Sequence, residues 1–113
     1  MKEFNFDYDL ENDDLFFYLE NEKSTGSVEL GNFILDFDKK GNLVAMQILD
    51  ASKVLSKILS KIIKLTKIKK MQADIINFRN MDSVRFEIIT DTERATANIL
   101  VPHIKEKSPA LLY

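Results

Sequence analysis

Cysteine is absent from this 113-residue sequence, which excludes disulfides, thiolate metal sites and cysteine nucleophiles. Only three glycines occur and they stand far apart, so the chain has no glycine-rich loop to bind phosphate. The single histidine, His103, has no cysteine or carboxylate beside it, which favours a surface or structural role over a catalytic one. No apolar run approaches the roughly 18 residues that span a bilayer.

Acidic and basic residues are separated along the chain, although the net charge is only −2. Residues 1–50 hold twelve acids and four lysines, whereas residues 51–70 hold seven lysines and no acid. The acidic start of the chain is unlike a secretory signal, and a protein without cysteine suits a reducing compartment. We therefore expect a cytoplasmic protein.

The length predicts one domain over residues 1–113, with a first unit over 1–70, a second β segment over 71–102 and a tail over 103–113. Apolar residues alternate around Phe4, Phe6 and Tyr8, and short strands are predicted near residues 15–19 and 27–30. Residues 33–49 read as a hairpin whose turn contains Asp38 and Gly41. Five strands in close succession predict an antiparallel meander.

The clearest element is an amphipathic helix that starts at residue 51 and ends between residues 65 and 70. Asp50 is the predicted N-cap. Three further strands are expected near residues 75–78, 84–88 and 95–101. The predicted fold class is therefore α+β: an antiparallel meander, one amphipathic helix packed across it, and a three-stranded antiparallel segment. The apolar side of the helix consists of residues spaced by three and four positions, namely Ala51, Val54, Leu55, Ile58, Leu59, Ile62 and Ile63.

Short motifs at fixed places in the first half resemble a known family. They are Tyr8-Asp9, Asp14-Leu15-Phe16-Phe17, Ile34-Leu35-Asp36-Phe37-Asp38, Gly41 and Ile48-Leu49-Asp50-Ala51-Ser52. In these residues the chain resembles DUF2283, small bacterial and archaeal proteins of unknown function, over residues 4 to about 55. The chain departs from the family at Ala45-Met46-Gln47, where members often have Gly-Ile-Glu. The resemblance implies an interaction role, as the partner of a toxin-like protein, rather than catalysis.

Two groups of carboxylates invite a chemical interpretation. The spacing of Asp36, Asp38 and Gly41 is reminiscent of a calcium loop, but Lys40 and Gln47 occupy positions that need oxygen ligands, so a hairpin turn is favoured. Paired acids near the N-terminus could act as general acid and base, which would require Asp9 and Asp14 to converge in a pocket. A solvated strand edge and turn is the simpler interpretation, and we predict no enzymatic activity, no cofactor and no metal. The N-terminal acids are Asp7, Asp9, Glu11, Asp13 and Asp14.

A row of lysines on the polar side of the predicted helix is the strongest functional candidate. Such a row can follow phosphates, although the helix contains no arginine, aromatic or amide residue to read base edges. A solvated cationic face, balanced by the acidic N-terminal strands, is the favoured interpretation. We do not expect this helix to lie on a membrane, because its apolar side is needed for the core. The candidate contacts for nucleic acid or a partner are Lys53, Lys57, Lys61, Lys64 and Lys67.

Three functions are therefore considered: a protein-interaction module, a nonspecific nucleic-acid binder, and an enzyme that uses N-terminal carboxylates, in that order of preference. We also expect a homo-oligomer, most simply a dimer, because one helix must cover two β segments rich in Phe and Ile. The apolar tail of Leu111, Leu112 and Tyr113 is either disordered or docked on a second copy.

Overall fold

Alternating polar and apolar residues form strands through most of the chain in a computed structural model that describes residues 1–102. A helix, α1 (Ala51–Leu59), follows the fifth strand, and a 3₁₀ turn, Leu65–Lys67, precedes the sixth. The strands are β1 (Lys2–Asp9), β2 (Asp14–Tyr18), β3 (Gly26–Leu30), β4 (Phe33–Phe37), β5 (Leu43–Ile48), β6 (Ile68–Asn77), β7 (Met81–Thr90) and β8 (Arg94–Pro102).

The predicted α+β class is wrong, because the protein is mainly β. Strands account for about 57% and helix for about 12% of the structure, which curves into a half-barrel. The helix is shorter than predicted, and β6 begins at Ile68, well before the strand expected near residue 75. The lysine-rich stretch that was assigned to the end of the helix therefore contains the start of a strand.

All eight strands join in one antiparallel sheet with the order β3-β4-β5-β2-β1-β6-β7-β8. This order is not a simple meander over the first five strands, because β5 lies between β2 and β4 while β3 pairs only with β4 within the described residues. Strand β1 pairs with β2 along residues 5–9 and with β6 along residues 2–4, so it connects the two halves of the sheet. The last three strands form the predicted consecutive antiparallel set.

One side of the sheet holds the hydrophobic core. Phe17 is fully buried and its ring lies 5.4 Å from that of Phe4 in an edge-to-face contact and 6.1 Å from that of Phe86. These contacts link β1 and β2 to β7, so the core runs across both halves of the sheet. The helix adds Ala51 and Leu55 to the same core and contacts β8.

The helix ends at Ser60, which adopts a left-handed conformation with φ of 55°. Beyond this point the apolar pattern changes period: Ile63 and Leu65 are buried, whereas Ile62 between α1 and this pair is 80% exposed. Ile58, inside the helix, is also 41% exposed, so the predicted apolar side is only partly covered. In a continuous helix both Ile62 and Ile63 would lie on the apolar side. In the connection after Ser60, Ile63 is buried and Ile62 is exposed instead.

Within residues 1–102, none of the helical segments has the length and apolar content that crossing a membrane requires. The predictions for His103 and for the tail at residues 111–113 lie outside the described residues.

Shortening Phe17 to Ala is expected to lower the free energy of unfolding by about 3–5 kcal/mol, since the ring is fully buried between two other aromatic rings. Its neighbour Phe16, 39% exposed on the opposite side of β2, provides a matched control, and Phe16→Ala is expected to cost less than about 1.5 kcal/mol. Urea unfolding measures both. Equal losses for the two variants would contradict the assignment of the core side.

Candidate functional site

The start of α1 is capped by Asp13, a residue from the turn between β1 and β2. The main-chain oxygen of Asp13 accepts a hydrogen bond from the Ala51 amide at 2.8 Å. Its carboxylate accepts from the Ser52 amide at 3.0 and 3.2 Å and from the Ser52 hydroxyl at 2.7 Å. Two amide groups that would lack partners at the helix start are therefore satisfied by a residue distant in sequence. The predicted cap, Asp50, has a left-handed backbone and makes no capping hydrogen bond with its side chain.

Tyr8 and Asn32 complete this cluster from two other elements. The Tyr8 hydroxyl donates to the Asp13 carboxylate at 2.6 Å. The Asn32 side-chain amide, in the turn between β3 and β4, donates to the Leu49 carbonyl at 3.1 Å. The turns of two hairpins thus hold the connection between β5 and α1. Five of the residues named for the family resemblance meet here in hydrogen bonds that join the elements, namely Tyr8, Leu49, Asp50, Ala51 and Ser52.

The hydrogen bonds of this cluster shift two pKa values in opposite directions. Burial and the hydrogen bond to the Asp13 carboxylate raise the pKa of Tyr8 to about 12, because both favour the neutral phenol. For Asp13, burial acts to raise the pKa, but the hydrogen bonds from Tyr8 and Ser52 together with nearby Lys53 outweigh it and lower the pKa. Asp13 is therefore an ionised acceptor, and a proton-transfer role would need a higher pKa.

Asp9 and Asp14, the pair considered for acid–base chemistry, lie at the end of the β1–β2 hairpin. Asp9 and Asp14 are opposite each other in the β1–β2 register, but Asp9 accepts hydrogen bonds from the amide and side chain of Asn12, which lower its pKa. A cavity of about 190 Å³ lies elsewhere, beside Phe4, Leu43 and Ala73. In residues 1–102 no group of three or more His, Cys, Asp or Glu could hold a metal ion. The hypothesis that Asp9 and Asp14 converge in a pocket therefore gains no support.

Asp36 and Asp38, considered for calcium, have separate structural partners. Asp38 accepts hydrogen bonds from the amides of Lys40 and Asn42, both at 2.9 Å, and these bonds lower its pKa. Asp36 accepts a hydrogen bond from the Ser27 hydroxyl on the neighbouring strand. Asp38 is thus the turn carboxylate that the hairpin interpretation predicted.

The sheet side opposite the core carries an excess of carboxylates over strands β1 to β5. Residues that face each other in adjacent strands project to the same side, so the register identifies this side directly. The only cation in these five strands is Lys2, and its partner Ala73 places it on the core side. We call this side the acidic face; its members are Asn5, Asp7, Asp9, Asp14, Phe16, Tyr18, Ser27, Glu29, Ile34, Asp36, Ala45 and Gln47.

Two aromatic rings lie inside the acidic face, away from its ends. Phe16 and Tyr18 project from β2, which lies between β5 and β1, and their rings stack at 5.0 Å with an angle of 18°. Phe16 is 39% exposed. In the register, Phe16 is flanked by Asp7 on β1 and Gln47 on β5, and Tyr18 by Asn5 and Ala45. One carboxylate and no cation therefore lies directly beside the rings, and the other carboxylates of the acidic face lie further out.

The five candidate lysines are all exposed, but they do not share one helix face as predicted. Lys53 and Lys57 belong to α1, Lys61 and Lys64 to the connection after it, and Lys67 to the 3₁₀ turn. The helix ends before Lys61, Lys64 and Lys67 because Ser60 adopts a left-handed conformation, which does not continue an α-helix. Within the described region, Lys61 forms an ion pair with Glu93 at 3.5 Å.

Comparison with known proteins finds a family match in the first half of the chain. Residues 5–52 match the family model described as a protein of unknown function (DUF2283). The resemblance drawn from the sequence motifs is thereby confirmed over that segment. It runs from β1 through the residue that Asp13 caps, so the DUF2283 segment contains the first five strands and the complete helix start.

Two curated relatives are similar to parts of the chain. An uncharacterized protein from Methanocaldococcus jannaschii is 38% identical over 74 residues, which cover 62% of this chain and 64% of that protein. A protein from Methanosarcina mazei with a provisional hypoxanthine phosphoribosyltransferase name is 47% identical over 47 residues, 42% of this chain and 38% of that protein. The chain thus spans less than two thirds of either relative. No solved structure gives a significant match.

Sequence reasoning missed the acidic face and the cap for different reasons. The acidic face needs the strand order, because β5 rather than β3 lies beside β2. The strict alternation of polar residues with aromatic ones in Phe4 to Asp9, where two of the three polar residues are acids, is a usable signal for its first strand. The capping role of Asp13 had no local signal, since the capped residues lie 38 and 39 positions away.

Replacing Asp13 by Asn is expected to destabilise the protein by about 0.5–2 kcal/mol at neutral pH, since a charged cap is lost. Because the folded pKa of Asp13 is lowered, its ionised form stabilises the fold above the ordinary value of 3.8, and this contribution disappears as the pH falls through the folded pKa. The stability difference between wild type and Asp13→Asn should therefore shrink in acid. Urea unfolding at neutral and acidic pH measures it, with the exposed Glu11→Gln as a control. A difference that does not change with pH would contradict the assignment.

Proposed function

We propose that this protein is a non-catalytic protein-interaction module that binds a basic partner through the acidic face. The single observation that supports this most is the stacked pair Phe16 and Tyr18, left partly open to solvent on a sheet side whose charged residues over β1 to β5 are carboxylates. An open aromatic cluster with a charged rim has the composition of a binding surface rather than of an inert one.

The aromatic centre would supply most of the binding energy. Aromatic side chains near the middle of an interface are frequent hot spots, because they bury a large area at little cost in side-chain entropy. Ile34, half-buried on β4, adds apolar surface in the same row as Phe16. A partner that covers these residues would exclude water from the rings and from nearby carboxylates.

The carboxylate rim would select the partner by charge. Asp7 and Glu29 lie at opposite ends of the row that contains Phe16, and both are exposed. A rim of one sign attracts a basic surface, accelerates association and disfavours acidic partners. The antitoxin-like role implied by the family resemblance is one form of this proposal, in which the basic partner is a toxin-like protein.

The provisional enzyme name of the Methanosarcina relative does not alter this proposal. It belongs to a protein of which the match covers 38%, and a phosphoribosyl substrate requires phosphate-binding groups. This chain has three glycines, which stand singly.

The partner-binding prediction can be measured with the product of an adjacent gene, co-expressed with this chain. The double variant Phe16→Ala with Tyr18→Ala should weaken the complex at least tenfold in calorimetry, since the apolar centre is removed. Phe78→Ala, which changes an aromatic residue 53% exposed on the other half of the protein, is the matched control and should leave the affinity unchanged. Equal affinity for the wild type and the double variant would refute the role of the acidic face.

A second candidate, nonspecific nucleic-acid binding, rests on the exposure of Lys53, Lys57, Lys61, Lys64 and Lys67. Four of these are outside the ion pairs found in residues 1–102, so their ammonium groups are available to phosphates. The shortened helix weakens the case, because the lysines follow three different backbone conformations rather than one straight row.

This candidate predicts binding to DNA or RNA that falls steeply with salt, with a logarithmic slope of about −0.9 per neutralised phosphate on duplex DNA. Lys57→Glu with Lys64→Glu should reduce the affinity and the slope, as measured by fluorescence anisotropy on a labelled duplex. Lys23→Glu with Lys39→Glu, exposed lysines outside this region, makes the same charge change as a control. Salt-independent binding, or none, would end the candidate.

A further inference from the structure

The connection after α1 exposes apolar residues between lysines. Ile62 is 80% exposed and Ile58 is 41% exposed, whereas their neighbours Ile63 and Leu59 pack on or against the core. Lys57, Lys61 and Lys64 surround these two isoleucines in sequence and are exposed. We call residues 57–64 the cationic segment: it has an apolar centre and a rim of positive charge.

The cationic segment and the acidic face are complementary in both charge and apolar content. The acidic face has aromatic rings at its centre and carboxylates at its rim. Exposed isoleucines can pack on the open rings while ammonium groups approach the carboxylates. The same two surfaces therefore match both in charge and in apolar content, as the two sides of a binding interface do.

A single chain cannot bring these two surfaces together. The cationic segment is attached to the core side of the sheet, because Leu55 and Ile63 on either side of Ile58 are buried in the core. Phe16 and Tyr18 project from the opposite side, as their register partners on β5 show. The segment that fits the acidic face must therefore come from another molecule.

We propose that the acidic face binds the cationic segment of a second copy of this chain. The proposal rests on the proposed function of the acidic face and names its partner. Because the two surfaces lie on opposite sides of the sheet, one partner cannot engage both at once. The contact is therefore heterologous and makes rings or open chains rather than a two-fold pair. The expected homo-oligomer thus takes a head-to-tail form instead of the dimer predicted from the sequence.

The internal ion pair of the cationic segment does not compete strongly with this contact. Lys61 lies 3.5 Å from Glu93, and the two side chains are 43% and 33% exposed. Pairs with this exposure contribute little to stability and can be exchanged for contacts with a partner. Lys57 and Lys64 belong to no ion pair in the described part of the chain.

Complementary charge reversal tests the proposal on the full chain. One variant carries Lys57→Glu and Lys64→Glu in the cationic segment, and the other carries Asp7→Lys and Glu29→Lys on the acidic face. Sedimentation velocity at low and high salt measures the mass of each variant and of their equimolar mixture, with circular dichroism to verify folding. At low salt the wild type should exceed twice the monomer mass at high micromolar concentration, and salt should reverse this.

Each variant alone should associate at least tenfold more weakly than the wild type, because two of the charges that attract the other surface then repel it. The mixture should recover a one-to-one complex, since the lysine variant keeps the wild-type acidic face and the other variant keeps the wild-type cationic segment. Ile62→Ser should weaken association, whereas Leu100→Ser, 59% exposed on β8, should not. A monomeric wild type at low salt, or a mixture that does not recover, would overturn the proposal.

The outcomes separate this proposal from the function of the acidic face. A monomeric wild type whose partner binding still depends on Phe16 and Tyr18 would overturn self-association and leave the acidic face a binding surface for another protein. Self-association that survives Phe16→Ala with Tyr18→Ala but fails on lysine reversal would instead refute the acidic face as the place where the segment docks.

Discussion

The hydrogen bonds from Ser52 to the Asp13 carboxylate determine where the only α-helix of the described residues begins, and much of the structure depends on them. The carboxylate binds the amide and hydroxyl of Ser52 while the main-chain oxygen of Asp13 binds the amide of Ala51. The cap directs Ala51 and Leu55 into the core. It thereby sets the position of the chain that follows, including the cationic segment. Tyr8 holds the carboxylate in place from β1.

The limits of the DUF2283 segment lie close to residues that bind Asp13. The matched residues 5–52 include Tyr8 near their start and end at Ser52, and both side chains bind the same carboxylate. The family motifs therefore describe a structural unit that closes on itself. In this chain the motif residues have two locations: Tyr8 and Ser52 bind Asp13 on the core side, whereas Asp14, Phe16 and Asp36 lie on the acidic face.

Local patterns in the sequence predicted the strands better than their arrangement. The hairpin around Asp38 and Gly41 and the alternating last strands follow from residues close in sequence, and they are present. The position of β5 beside β2 depends on contacts over some 30 residues, for which local periodicity gives no signal. The end of the helix was misjudged because Ile62 and Ile63 satisfy a helical period, although only Ile63 is buried. The lysines were named correctly as exposed residues, but their common helix face depended on that error.

The two halves of the sheet are joined by a short stretch of backbone pairing between β1 and β6. Only three register pairs, Lys2 with Ala73, Glu3 with Gln72 and Phe4 with Met71, join them through the backbone, whereas β6 and β7 share a much longer ladder. The first half also possesses its own cap and its own hairpins. The two halves are therefore held together more by the side chains of the shared core than by backbone pairing.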